Sequence, residues 1–104
     1  MIDKNEFIEF SKGLGFKCTN DDYYISVYAD GIIIAILNFE GDVNVYDCNK
    51  FKLDEYGNLT DEGTDFYGTK VYDFETVKVE LIKIAKKIKS LKIQDKIGRI
   101  EKDF

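Results

Sequence analysis

Asp30 and Gly31 form the strongest short-range folding signal in this chain of 104 residues. A two-residue type I′ loop needs positive φ at both positions, and Asp-Gly is one of the few dipeptides that adopts it readily. The residues on either side are rich in Ile, Val and Tyr, which favour strands. The sequence therefore predicts a β-hairpin between residues 23–29 and residues 32–39.

The second strand of this hairpin is apolar at successive positions, which is typical of a central strand covered on both faces. A second reversal at Glu40-Gly41 leads to a third strand at residues 43–48. An uninterrupted register pairs Val27 with Ile34 and Ile25 with Ile36. This register predicts that one face of the sheet is formed by Ile25, Val27, Ile34, Ile36 and Val45. The other face is then formed by Tyr24, Tyr28, Ile33, Ala35, Leu37 and Tyr46. The second face needs cover from a helix or from a partner.

Helices are predicted at both ends of the sequence. Asp3 and Glu6 have the spacing of a capping box, and Gly13 or Gly15 ends that helix. A longer helix begins at Asp73 or Thr76 and ends between residues 93 and 98. Its apolar stripe has a period of about 100° per residue and consists of Val77, Leu81, Ile84, Ala85, Ile88 and Leu91.

Residues 49–69 lose this periodicity and accumulate Gly, Asn, Thr and Asp, which leaves room for a short extra hairpin around Tyr56-Gly57-Asn58. The order of elements predicts one α+β domain over residues 1–104, with an N-terminal helix, a three- to four-stranded antiparallel sheet and a long C-terminal amphipathic helix. The longest apolar run, residues 32–37, is too short to span a membrane.

The first ten residues lack the pattern of a secretory signal, so we expect a cytoplasmic location in a host cell. Cys18 and Cys48 are then expected as reduced thiols that pack like small hydrophobic residues. A disulfide between them is the less favoured alternative.

Charge is divided unevenly along the chain. Residues 1–76 carry six lysines and sixteen acids, whereas residues 77–104 carry nine bases and four acids. A folded molecule with this division has an acidic side and a basic ridge, although acids in turns and lysines on the wet face of a helix also serve solubility alone.

Catalytic motifs are missing from the sequence. It contains no histidine, and it matches neither the dinucleotide nor the Walker pattern. The acids at 54 and 61 lack the spacing of a calcium loop. We therefore expect no enzyme activity, no catalytic residue, no metal site and no cofactor. The net charge of −5 also argues against direct binding of nucleic acid by the lysine-rich helix.

The remaining candidates are residues suited to a protein partner. Clustered carboxylates resemble the phosphate spacing of nucleic acid and suit a basic groove, and tyrosines bury area while keeping a polar hydroxyl. Packing under a helix is the alternative explanation for the tyrosines. The predicted partner-binding residues are Asp21, Asp22, Asp54, Glu55, Asp61, Glu62, Asp65, Tyr24, Tyr28 and Tyr56.

The opening EFIEFSKGLGFKC, the following YYISVYADG and the closing lysine-rich helix resemble short early proteins of phages and prophages from low-GC bacteria. The resemblance covers about the first 30 residues and the general layout. It implies an inhibitor of host defence, such as an anti-CRISPR protein that occupies the DNA-binding groove of a nuclease. It transfers no functional residue.

Three functions follow as hypotheses. The first is a non-catalytic inhibitor, monomeric or homodimeric, that binds the basic groove of a host or effector protein through an acidic, tyrosine-bearing surface. The second is an immunity protein or antitoxin that neutralises a basic toxin. The third is a small enzyme or ligand-binding domain with a carboxylate pocket, which would show facing carboxylates of raised pKa.

Overall fold

A computed structural model of the chain describes residues 2–60 and 69–102. The predicted site residues Asp61, Glu62 and Asp65 lie outside the described residues. Along the described residues, the first helix is followed by seven strands, with one 3-10 turn between the fourth and the fifth, and then by a second helix. The elements are α1 (Lys4–Gly13), β1 (Lys17–Asn20), β2 (Tyr24–Ala29), β3 (Ile32–Asn38), β4 (Val43–Val45), the 3-10 turn (Cys48–Lys50), β5 (Lys52–Leu53), β6 (Leu59–Thr60), β7 (Thr69–Val71) and α2 (Phe74–Lys102).

The main sheet has five strands in the order β1-β2-β3-β4-β7, and each neighbouring pair is antiparallel. The predicted α+β class is confirmed, with an N-terminal helix and a long C-terminal helix. The predicted hairpins that join β2 to β3 and β3 to β4 are present. The two edge strands, β1 and β7, enlarge the sheet beyond the predicted three or four strands, and the separate β5–β6 pair is the extra hairpin.

Local capping chemistry starts both helices. The Asp3 carboxylate accepts a hydrogen bond from the Glu6 amide at 3.0 Å, as the capping box predicts. Leu14 ends α1, and Gly15 follows with a φ of 93°, a conformation that glycine adopts without strain. Asp73 starts α2 because its carboxylate accepts hydrogen bonds from the amide and the hydroxyl of Thr76 at 2.9 and 2.7 Å.

The register of the central hairpin differs from the predicted one. Ala29 pairs with Ile32 and Tyr28 with Ile33, as a two-residue loop requires, but Val27 then pairs with Ala35. Ile34 is the extra residue of a bulge in β3, and its carbonyl accepts a hydrogen bond from the Tyr46 amide at 3.0 Å. A bulge shifts every later pair by one position.

This shift changes which residues of β3 enter the core. Ala35 and Leu37 join the buried face beside Ile25 and Val27, whereas Ile36 lies on the other face. The predicted placement of Ala35, Leu37 and Ile36 is therefore wrong. Tyr46 is also buried and packs edge to face on Phe51, with ring centroids 6.0 Å apart.

The apolar stripe of α2 closes the core over the sheet. Val77, Leu81, Ile84 and Ile88 are buried, and Ala85 and Leu91 pack at the margin of the same cluster, so the predicted stripe is confirmed. Phe7 of α1 contributes to this cluster. The stripe from Val77 to Leu91 is about 21 Å long at 1.5 Å per residue, so the rest of the 29-residue helix extends past its main packing contacts.

The bulge predicts a specific order of stability losses. Leu37→Ala removes a side chain that is 3% exposed and should lower the free energy of unfolding by about 2–5 kcal/mol. Ile36→Ala should cost clearly less, because Ile36 is only partly buried. Urea unfolding of the two variants measures the difference. A larger loss for Ile36→Ala would support the uninterrupted register and contradict the bulge.

The α2 cap predicts a pH dependence. Hydrogen bonds from the Thr76 hydroxyl and amide lower the pKa of Asp73 below its usual 3.8. The ionised cap therefore stabilises the fold above that pH, and this contribution disappears as the pH falls through the lowered pKa. Asp73→Ala should lower the thermal midpoint at neutral pH, and the deficit should shrink below about pH 4. A deficit independent of pH would show that the charge of Asp73 is unimportant.

Candidate functional site

Two turns meet at one end of the main sheet and bring exposed aromatic and acidic side chains together. Tyr24 at the start of β2 pairs with Asn38 at the end of β3, so the β1–β2 and β3–β4 turns lie at the same end. A depression of about 370 Å³ lies there, between residues of both turns. We call this surface the end patch, and its members are Asp21, Asp22, Tyr23, Tyr24, Phe39 and Glu40.

The aromatic side chains of the end patch are unusually accessible. Tyr23 is 71% exposed and Phe39 is 67% exposed, and Tyr24 is also exposed. Tyr72 follows β7 next to the position that pairs with Val43, so it extends the exposed aromatic surface at the same sheet end. Exposed aromatic clusters with a polar rim are characteristic of protein-binding surfaces.

Charge at the end patch is negative. Asp21, Asp22 and Glu40 are exposed and contribute three carboxylates. The neighbouring Asp42 is buried and accepts a hydrogen bond from the Asn38 side-chain amide at 3.0 Å, with the Lys70 ammonium 3.8 Å away. Asp42 therefore has its own partners and helps to hold the β3–β4 turn. The three exposed carboxylates therefore determine the electrostatic potential of the end patch.

The predicted acids of the second hairpin divide into two roles. The Asp54 carboxylate accepts hydrogen bonds from the amides of Tyr56 and Asn58 at 2.9 and 2.8 Å, which holds the turn between β5 and β6. Gly57, with a φ of 80°, completes that turn. Glu55 and Tyr56 are exposed at its tip. This tip belongs to the β5–β6 pair, whereas Asp21, Asp22 and Tyr24 belong to the main sheet.

Tyr28 lies in different surroundings from the other predicted tyrosines. It is at the far end of β2 from Tyr24, close to the Asp30-Gly31 loop, and it is only partly exposed. There it lines a cleft of about 640 Å³ between that loop, the α1–β1 connection and α2. We call this cavity the lysine cleft, because its lining includes Lys17, Lys86, Lys89, Lys92 and Lys96.

Acidic and basic surfaces are therefore formed by different parts of the fold. The end patch lies at the sheet end that holds the β1–β2 and β3–β4 turns, and the lysine cleft lies at the Asp30-Gly31 end. Asp30 is the single acid of the cleft lining, and its carboxylate is 2.8 Å from the Lys92 ammonium. The sequence missed Tyr23, Phe39 and Glu40 as site residues. Their position beside two strong turn signals, once the strands are paired, is the signal that points to them.

Both cysteine side chains are partly shielded from solvent. Cys18 and Cys48 are free thiols, both partly buried, as the favoured sequence interpretation expected. Burial raises the pKa of Cys18, and the Lys12 ammonium and Ser11 hydroxyl only partly offset this effect. Within residues 2–60 and 69–102, no three His, Cys, Asp or Glu side chains are grouped so as to hold a metal ion.

Comparisons with known proteins give no relative from which a role could be transferred. No family model matches the sequence, and neither the curated proteins nor the solved structures yielded a significant match. Among the helices of the described part of the chain, none combines the length and the apolar character needed to cross a bilayer.

The environment of Cys18 predicts slow alkylation. In a Cys48→Ser variant, iodoacetamide should modify Cys18 more slowly in the native protein than in urea, because burial disfavours the thiolate that attacks the reagent. The reaction rate should rise with a midpoint above pH 9.0, the ordinary pKa of a cysteine thiol from which that of Cys18 is raised. Mass spectrometry against time gives both values. Equal rates in the native and unfolded states would show that Cys18 is accessible and reactive.

Proposed function

We propose that this protein is a non-catalytic inhibitor that binds a basic groove of a host nucleic-acid-binding or defence protein, in the manner of an anti-CRISPR protein, in the cytoplasm of the host cell. The observation that supports this proposal is the end patch, which combines exposed Tyr23, Tyr24 and Phe39 with three exposed carboxylates. The resemblance to phage and prophage early proteins supports the same class of partner.

The aromatic side chains would supply most of the affinity. Truncation of an aromatic residue at the centre of an interface commonly costs about 2 kcal/mol or more, whereas contacts at the rim cost little. In the free protein, Phe39 and Tyr23 leave most of their surface in water, and a partner that covers both gains the hydrophobic free energy of burial. The Tyr23 and Tyr24 hydroxyls allow polar groups of the partner to remain hydrogen-bonded.

The carboxylates would make the end patch selective for a basic partner. Asp21, Asp22 and Glu40 are exposed, so their field reaches into solution over about 8 Å at physiological ionic strength. Such a field accelerates encounter with a positively charged groove and repels acidic surfaces. Glu55 and Tyr56 at the tip of the β5–β6 turn offer a secondary contact of the same character.

The described carboxylates support binding better than catalysis. Catalytic carboxylates typically lie in a cleft that shields them from water. Both Asp42 and Asp54 are engaged in hydrogen bonds that hold turns, and the acids of the end patch are exposed to water. An immunity protein or antitoxin would use the same electrostatics, and a toxin gene beside the coding sequence would favour that alternative.

Charge reversal tests the end patch. The double variant Asp22→Lys/Glu40→Lys should abolish inhibition of DNA binding by the target, because it replaces attraction to a basic groove with repulsion. The comparison variant is Glu9→Lys/Glu55→Lys, which changes the net charge equally, leaves the end patch intact and tests the secondary contact at Glu55. The target is first captured from host lysate at low salt and released at high salt. DNA binding by the purified target is then measured by gel shift with each variant.

Two results decide between the surfaces. Loss of inhibition in Asp22→Lys/Glu40→Lys alone, with unfolding midpoints unchanged, supports the end patch. Loss in Glu9→Lys/Glu55→Lys alone would move the interface to the β5–β6 tip. Full inhibition by both variants would overturn the acidic-surface mechanism. Phe39→Ala, which keeps the charge unchanged, separates the aromatic contribution from the electrostatic one.

A further inference from the structure

The lysine cleft has an apolar floor beneath a charged rim. Leu14 and Phe16 line it from the α1–β1 connection, Ala29 from β2, and Ala85 and Ile88 from α2. Its volume of about 640 Å³ lies within the range of ligand-binding cavities. Lys92 and Asp30 form an exposed ion pair across the opening. The cleft therefore offers apolar contact surface and positive charge in one place.

The positive charges follow the direction of α2. Lys89, Lys92 and Lys96 recur at steps of three and four residues, so they project from one face about one helical turn apart. Lys17 and Lys86 flank this row. Five lysines and the single carboxylate of Asp30 leave a net charge of +4 on the lining. A single small anionic group neutralises only a part of a row spread over about two helical turns.

Apolar surface continues along α2 from the cleft. Ile93 lines the cleft and is 50% exposed, and Ile97, one turn later, is 51% exposed. The lining positions between Ala85 and Lys96 cover about 16 Å of helix. An occupant that covers the whole surface is thus elongated, parallel to α2, apolar on one side and acidic along its edges.

We propose that the lysine cleft binds an acidic amphipathic helix of a partner protein, laid along α2 between Ala85 and Ile97. Carboxylates one turn apart on the docked helix would face Lys89, Lys92 and Lys96, and its apolar side would cover Ile93 and the floor of the cleft. The inference is independent of the end patch, because the two surfaces share no residue. It gives the molecule a second docking surface of opposite charge.

The charge pattern also argues against other occupants. A symmetric pair of chains joined through this cleft would face five lysines with five lysines, which is repulsive. Nucleic acid would neutralise the rim but would leave the half-exposed Ile93 and Ile97 without apolar contacts. The alkyl chain of a fatty acid would contact the apolar floor, but its single carboxylate would leave most of the lysine row unneutralised.

The experiment titrates the protein into a dye-labelled synthetic helix and follows fluorescence anisotropy. The probe is a peptide of about 18 residues that spans the cleft, with leucines along one face and glutamates on both flanks. A peptide of identical composition with scrambled leucine positions is the matched control. The amphipathic peptide should bind with one-to-one stoichiometry and at least about tenfold more tightly than the scrambled peptide.

Protein variants locate the binding surface. Lys89→Glu/Lys96→Glu should weaken binding of the amphipathic peptide by about tenfold or more, because two attractive contacts become repulsive. Lys4→Glu/Lys50→Glu changes the net charge equally at exposed positions outside the cleft and should leave the affinity unchanged. Asp22→Lys/Glu40→Lys should also retain peptide binding, which separates this inference from the proposed function.

A measurement on the unaltered protein tests the proposal even if a variant fails to fold. In amide correlation spectra of the unaltered protein, the peptide should shift the signals of Gly15 and Gly31, which line the cleft, and leave that of Phe39 unchanged. Equal affinity for the scrambled peptide, stronger competition by dodecanoate or by duplex DNA, or shifts confined to the end patch would each overturn the proposal. A doubling of mass that is lost in Lys89→Glu/Lys96→Glu would assign the cleft to self-association instead.

Discussion

The packing of α2 on a single face of the sheet is the interaction on which the remaining architecture depends. Val77, Leu81, Ile84 and Ile88 supply the helix side of the contact, and Val27, Ala35 and Val45 form a row of the buried sheet face. Because the hydrophobic free energy of a small domain comes from one core, these contacts define the fold. The opposite face of the sheet carries partly exposed side chains. The two ends of the sheet hold the end patch and the lysine cleft.

Electrostatic polarity follows from this arrangement. Asp21, Asp22 and Glu40 lie in turns at one end of the sheet, and α2 carries its lysines outside the apolar stripe, so these opposite charges lie on different parts of the fold. The ion pairs Lys78–Glu75 and Lys83–Glu80 lie within α2 and neutralise part of its first half. The lysines from Lys86 onward have fewer acids near them in sequence, and four of them line the cleft: Lys86, Lys89, Lys92 and Lys96.

Local chemistry made much of the fold predictable. The Asp3 cap, the Asp30-Gly31 loop and the α2 stripe each depend on residues close in sequence, and each is present. The bulge at Ile34 was not predictable in this way, since the neighbouring isoleucines satisfy either register and only the packing of the whole sheet decides between them. The edge strands β1 and β7 are short and mostly exposed, so they carry no clear alternation.

The candidate site was only partly predictable, for a related reason. Asp21, Asp22 and Tyr24 are recognisable as a cluster because they are adjacent in sequence. Phe39 and Glu40 join them only through the pairing of β2 with β3. In the sequence, Asp54 looks like an ordinary surface acid. The hydrogen bonds that its carboxylate accepts can be identified only when the positions of the Tyr56 and Asn58 amides are known.

The ion pair between Asp30 and Lys92 has a consequence for any anion that enters the cleft. Asp30 sits at the hairpin tip with a φ of 52°, and its carboxylate already occupies one of the lysines that a guest would seek. The molecule thus carries its own counter-ion, which an incoming carboxylate must displace. Since an accessible pair of this kind is worth about 1 kcal/mol or less, displacing Asp30 from Lys92 costs a guest little of its binding free energy.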